Sequence, residues 1–212
     1  MTQIPLSDQE LLAQAKRVLA TEAAAVAGAS EQLEALPAIA RLLASCEGHI
    51  LVTGVGTSAA VARRLAHLLS CCGAPALPFE ASDGLHGGSG AITARDVLVV
   101  ISKGGKSAEI NRLVEIAKGR GARIVALTET AESPLAPLCD ALLIVRAPAE
   151  VDALGGLVAL GSSLVNAAVG DALCTAILAL KGYSLEEFAR THPGGAVGEK
   201  LSHLHAPQGG TE

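Results

Sequence analysis

Apolar positions along the chain repeat with two different periods. Near the N-terminus Leu11, Leu12, Ala15, Val18, Leu19, Ala23 and Val26 share one face at helical spacing. Ser7 and Glu10 frame the start of that run as a capping box, in which a hydroxyl and a carboxylate three residues apart satisfy each other's free backbone amides. The spacing predicts a helix from residue 8 into the early thirties. Pro37 suits the first turn of a second helix that ends near Cys46. From residue 49 the pattern becomes short apolar runs alternating with amphipathic stretches. Runs at 49–54, 76–79, 96–102, 122–128 and 141–145 predict strands, and 58–72 and 107–120 predict helices stopped by Gly73 and Gly121. A helical turn is expected at 135–139, a long apolar helix over 156–181 and a short one over 184–190 opened by Ser184 and Glu187.

Strands that are apolar almost throughout, each followed by a helix, mean a parallel sheet covered on both faces. Right-handed crossovers then give a doubly wound three-layer α/β sandwich. The expected organisation is one domain over 1–205, with N-terminal helices at 8–46, an α/β core at 49–201 and a disordered tail at 206–212. Such folds bind ligands at the carboxyl ends of their strands. The loops after the first and third strands are therefore the places to look for chemistry.

Composition narrows the function classes. Of 212 residues, 50% are hydrophobic and 17% charged, which excludes intrinsic disorder. The aromatic residues are Phe79, Tyr183 and Phe188, and the net charge is −5. A nucleic-acid binder needs a basic stripe or stacking aromatics, and neither is present. The richest apolar stretch, 154–180, is interrupted by Gly155, Gly156, Ser162, Asn166 and Asp171, so no membrane span is expected. No secretory signal is read over 1–10. Five cysteines without CxxC spacing read as reduced thiols of a cytoplasmic protein, with no metal site.

The loop after the first strand offers Gly54, Gly56, Thr57 and Ser58. The loop after the third offers Ser102, Lys103, Gly104, Gly105, Lys106 and Ser107. Glycines admit an anion to the backbone, hydroxyls add donors, and each following helix presents free amides at its positive end. Two such loops on neighbouring strands suit two walls of one phosphate pocket. Gly54 and Gly56 also fit a dinucleotide fingerprint, with Glu80 as the acidic partner of an NAD-dependent enzyme.

These loops, together with Gly170-Asp171-Ala172-Leu173 and above all the 191–198 segment Thr-His-Pro-Gly-Gly-Ala-Val-Gly, resemble the SIS (sugar isomerase) domain. The resemblance is to its arabinose-5-phosphate isomerase branch and runs from the first helix to Leu201. It implies a five-stranded parallel sheet in flavodoxin-like order, a homotetramer, no cofactor, and aldose–ketose isomerisation of a sugar phosphate through a cis-enediolate. The pair of CBS domains common in that branch is not part of this sequence. The resemblance assigns Glu150 as the catalytic base, with Asp152 as its rival because the register differs by one residue. It assigns His86 and His192 as acid–base or ring-opening groups, His192 reaching the site of a neighbouring subunit.

Three positions depart from that pattern. Thr57 stands where the branch carries lysine, Gly104 where it carries serine, and Lys106 where it carries glutamate. Such departures fit a cation moved between the loops, a more acidic substrate, or a sugar-phosphate sensor without catalysis. The long apolar helices also offer more surface than one sheet face covers, which points to an oligomer.

Overall fold

A computed structural model describes residues 6–204. The expected tail, 206–212, lies outside the described residues. The chain begins with α1 (Asp8–Gly28), and the Ser7 box forms as the spacing predicts: Glu10 N donates to Ser7 Oγ at 3.3 Å and Ser7 N to Glu10 Oε2 at 2.8 Å. Next come α2 (Leu36–Ala44), β1 (Ile50–Gly54), α3 (Thr57–Cys71), β2 (Ala76–Pro78) and α4 (Ala81–Leu85). They are followed by β3 (Val97–Ile101), α5 (Ala108–Gly119), β4 (Arg123–Thr128) and β5 (Ala141–Ile144). Last are α6 (Ala153–Gly156), α7 (Gly161–Lys181), α8 (Leu185–Thr191) and α9 (Gly195–Lys200).

All five strands pair in parallel in the order β2-β1-β3-β4-β5. β1 and β3 are buried along their whole length, which is why their sequences carry no polar alternation. One face, with Val52, Val99 and Val125, packs under α2, α3 and α7. The other, with Leu98, Val100 and Ile124, packs under α5 and the start of α4. The result is the three-layer sandwich expected from the sequence. Arg64 of α3 clamps Asp171 of α7 with bonds of 2.7 and 2.9 Å, so the Gly170-Asp171 motif joins two helices of one layer.

Three expectations change. The long helix starts at Gly161 rather than 156, because Leu154, Gly155 and Gly156 have left-handed backbone (φ 51°, 66° and 89°) and cannot propagate a right-handed helix. Ala153 and Val158 instead pair across a tight turn. Second, α7 is long and apolar enough to cross a membrane by length and composition. It is nonetheless a packing helix of this fold: Val165, Val169, Leu173 and Ile177 are buried in the core beneath it. Third, α4 and α9 are absent from the sequence reading, since five or six residues rich in small side chains show no period.

The apolar face of α1 stays mostly uncovered within the chain. Leu11, Leu12, Val18 and Leu19 are 49%, 56%, 44% and 68% exposed, and burial begins only at Ala25.

Candidate functional site

The carboxyl edge of the sheet holds the site. At the end of β1 a side chain on Gly54 would run into the Ser58 backbone at 2.8 Å, so glycine lets α3 begin directly beyond the strand. Gly56 turns the chain with φ +59° and caps α3 without a side-chain bond. After β3, Gly105 makes the second turn with φ +62°, against Ser133 and Leu135. Ser107 caps α5, also without a side-chain bond. Two helix N-termini with uncapped amides thus open beside each other.

Between the loops lies a cavity of about 390 Å³. Val55 and Ser58 form one wall, and Ser102, Lys103, Gly104, Lys106 and Ser107 the other, with Ile101 beneath. Six of the ten residues read from the sequence as phosphate-binding line it; Gly54, Gly56, Thr57 and Gly105 shape its loops without lining it.

The two lysines differ. Lys106 is exposed and forms no salt bridge among the described residues. Lys103 is held: its Nζ lies 2.6 Å from Asp152 Oδ2 and 3.9 Å from Glu129 Oε1. The Asp152 side chain is fully buried, and its Oδ1 accepts the Ser162 amide at 2.9 Å near the start of α7. Burial alone would push the Asp152 carboxyl up. The hydrogen bonds from Lys103 and Ser162 and the lysine charge outweigh it and hold the carboxyl below its ordinary value. For Glu129 burial prevails over the Lys103 charge and raises the carboxyl above its ordinary value. Glu129 Oε1 accepts the Ala147 amide at 3.4 Å, and Oε2 accepts no hydrogen bond among the described residues.

The three residues assigned to catalysis by resemblance do not meet within one chain. Glu150 is exposed in a single 3-10 turn (Ala149–Val151) and lines a separate depression with Gln14, Arg17 and Thr21 of α1. Its rival Asp152, two residues on, is the one turned inward. His86 is exposed at the end of α4, outside the cavity. His192 stacks on Phe188 at 3.8 Å and stands 3.5 Å from Cys71 Sγ. Cys71 ends α3 while the first glycine loop begins it, a separation of ~20 Å at 1.5 Å per residue. Glu80, the acid of the NAD reading, is bound by Arg63 at 3.0 Å. Glu129 went unnoticed in the sequence, although it follows a core strand at the same sheet edge as the two loops.

The SIS domain family model matches residues 42–176, more than half of the 212-residue chain. The arabinose 5-phosphate isomerase KpsF of Escherichia coli is 33% identical over 196 residues, spanning 92% of this chain and 60% of its own length. KdsD of Escherichia coli K12, also an arabinose 5-phosphate isomerase, is 35% identical over 156 residues, spanning 74% of this chain and 47% of its own length. The chain therefore spans about half to three-fifths of these relatives. Among solved structures, c3406 of E. coli CFT073 in complex with A5P superposes with a TM-score of 0.84 at 30% identity, over 89% of this chain and all of that one. NanR of Vibrio vulnificus, complexed with ManNAc-6P, shares the fold with a TM-score of 0.72 at 23% identity, over 90% of this chain and 69% of that one. With the five-stranded order, the paired glycine loops and these matches in agreement, the chain belongs to the SIS domain family.

Proposed function

We propose that this protein is a phosphosugar aldose–ketose isomerase, interconverting arabinose 5-phosphate and ribulose 5-phosphate or a close relative. The observation that carries the reading is the cavity itself. Two glycine loops, two uncapped helix N-termini and the Lys106 ammonium converge on it, beside a carboxylate–lysine cluster at the sheet edge. A phosphate suits the first set of groups, and proton transfer suits the second. Substrates named for the KpsF and KdsD relatives and the A5P bound by c3406 support the sugar class.

The chemistry needs a base at the carbon next to the carbonyl. The C2 proton of the aldose passes to a carboxylate, and the carbonyl electrons move onto O1, forming the cis-enediolate. The carboxylate returns a proton at C1 while the O2 proton passes to O1, giving the ketose with no net oxidation. The family pattern gives this role to Glu150. We assign it to Glu129, whose burial raises its carboxyl toward the range a base requires and whose Oε2 is unengaged among the described residues.

The same reading includes a homotetramer in which His192 serves the site of another copy; the uncovered α1 face and the position of His192 at the far end of α3 support it. A cytoplasmic location is part of the same reading, and five unpaired cysteines are compatible with it. The test is proton NMR in D2O with pentose, hexose and tetrose phosphates and phosphorylated sugar acids. Loss of the C1 or C2 proton signal for one of them is expected. A melting shift without exchange is the result for a sensor, which the charge change at Lys106 favours, and would overturn the isomerase reading.

A further inference from the structure

We infer that Lys103 is the electrophilic residue of this site, its ammonium meeting the oxygen that becomes negative in the enediolate, and that Asp152 positions it. The inference rests on the isomerase reading and adds a catalytic role to a residue that sequence alone places with the phosphate ligands.

An enediolate needs a positive partner where charge develops, and a donor already fixed in place is worth far more than one that must be gathered from solvent. Lys103 is the cavity residue built for this. Its side chain is 37% exposed, so part of it faces the open cavity. Its Nζ is fixed by a 2.6 Å bond to Asp152, a carboxylate with no exposure, anchored in turn by the Ser162 amide at 2.9 Å. An ammonium has three N–H donors. Asp152 takes one and Glu129, at 3.9 Å, lies beside a second, which leaves one for a ligand oxygen.

Phosphate binding does not require this lysine. Lys106, on the same wall, has no acidic partner among the described residues, and both helix N-termini supply amides. A cation clamped to Asp152 is fixed at one point of the cavity, where it meets charge that develops only in the transition state without having to reorganise. Glu129, 3.9 Å from the same ammonium, then serves as the base. A lysine between two carboxylates, one locked and one with a free oxygen, therefore assigns holding, electrophilic and basic roles to three different residues.

The test uses full-length Lys103→Met, the double variant Lys103→Met with Asp152→Asn, and Lys106→Met, assayed on D-arabinose 5-phosphate and by thermal melting with inorganic phosphate. Both Lys103 variants are expected to lose ~10²–10³-fold in kcat, the effect of removing one preorganised donor. Their KM should stay within about threefold, with an undiminished phosphate-induced melting shift. Lys106→Met is expected to do the reverse, raising KM about tenfold with little change in kcat. The double variant removes the charge stranded on Asp152, so it reports even where the single variant fails to fold. A raised KM at constant kcat for the Lys103 variants would make Lys103 a phosphate ligand. Recovery of kcat in the double variant, or kcat and KM both unchanged, would make it only a counter-charge. Either result overturns the proposal while leaving the isomerase intact. A wild-type protein that melts higher with phosphate but turns over no sugar phosphate removes the isomerase reading, and this proposal with it.

Discussion

Asp152→Ala should destabilise the protein by about 3 kcal/mol, and the size follows from what the side chain holds. It accepts the Ser162 amide at 2.9 Å near the start of α7, an end-capping bond of about 1 kcal/mol. It also accepts Lys103 at 2.6 Å. Breaking a fully buried pair costs ~3–5 kcal/mol and a surface pair ~0–1. Here the carboxylate has no exposure but the lysine is 37% exposed, so solvent screens part of the interaction and about 2 kcal/mol is the reasonable share. For a chain of this length ~3 kcal/mol lowers Tm by roughly 6–12 °C. The assay is urea unfolding at one fixed protein concentration, since assembly would shift apparent stability. The pH dependence gives a second check. The Asp152 carboxyl titrates below its ordinary value of 3.8 in the folded protein. Its stabilisation is therefore complete above that pH and is lost as the pH falls through the lower folded value. Wild type and variant curves should converge in that acidic window. A loss under ~1 kcal/mol at neutral pH, or curves that stay parallel into acid, would refute the account of a clamped carboxylate.

Other outcomes follow from the same geometry. Glu129→Gln should lower kcat ~10²–10⁴-fold, the usual range for a general base, and at least tenfold more than Glu150→Gln in parallel turnover assays. Because burial raises the Glu129 carboxyl, the acid limb of the wild-type kcat profile should lie above the ordinary 4.5, with activity rising as pH increases through it. Gly105→Ala forces a side chain onto a backbone at φ +62° against Ser133, and should cost ~1–3 kcal/mol in denaturant unfolding while weakening phosphate protection.

Much of the fold was legible because parallel strands announce themselves. Val97–Ile101 is five apolar residues in succession and is buried at all five, and the Ser7 and Ser184 capping boxes form with the partners their spacing requires. The start of α7 was not legible. The composition of 156–160 is helical enough, and only the left-handed run at 154–156 stops it. The two loops that wall the cavity were legible through their glycines and their place after core strands. The carboxylates were harder, because Glu150, Asp152 and Glu129 differ in burial and partners, which depend on the 149–151 turn and on a lysine from the loop after β3. His86 and His192 matched family positions in sequence, but a linear motif does not say which end of α3 a side chain will reach.

Charge is where this chain departs from the pattern the resemblance implies, and the cavity brings the loops of the two changed positions face to face. Thr57, where the resemblance leads one to expect lysine, starts α3 between Val55 and Ser58 of one cavity wall. Lys106, where it leads one to expect glutamate, lies on the facing wall. Taken singly, one change removes a cation and the other reverses an anion. Across a shared cavity they amount to a cation moved from one loop to the other. Lys103 does not fill the gap, because Asp152 and Glu129 hold its ammonium at the sheet edge. The dianion then depends on Lys106 and the helix amides. Unit charges about 4 Å apart near a protein surface interact by ~4 kcal/mol before solvent exposure weakens them, so moving the cation matters more than any hydroxyl lost at Gly104. Lys106→Glu alone should raise KM for the sugar phosphate about 100-fold, twice the logarithmic effect of removing the charge. Adding Thr57→Lys should recover most of that, because the cation returns to the opposite wall of the same cavity. Equal KM values for the single and double variants would mean that the two walls do not share a ligand, and the cavity would then have to be abandoned as the phosphate seat.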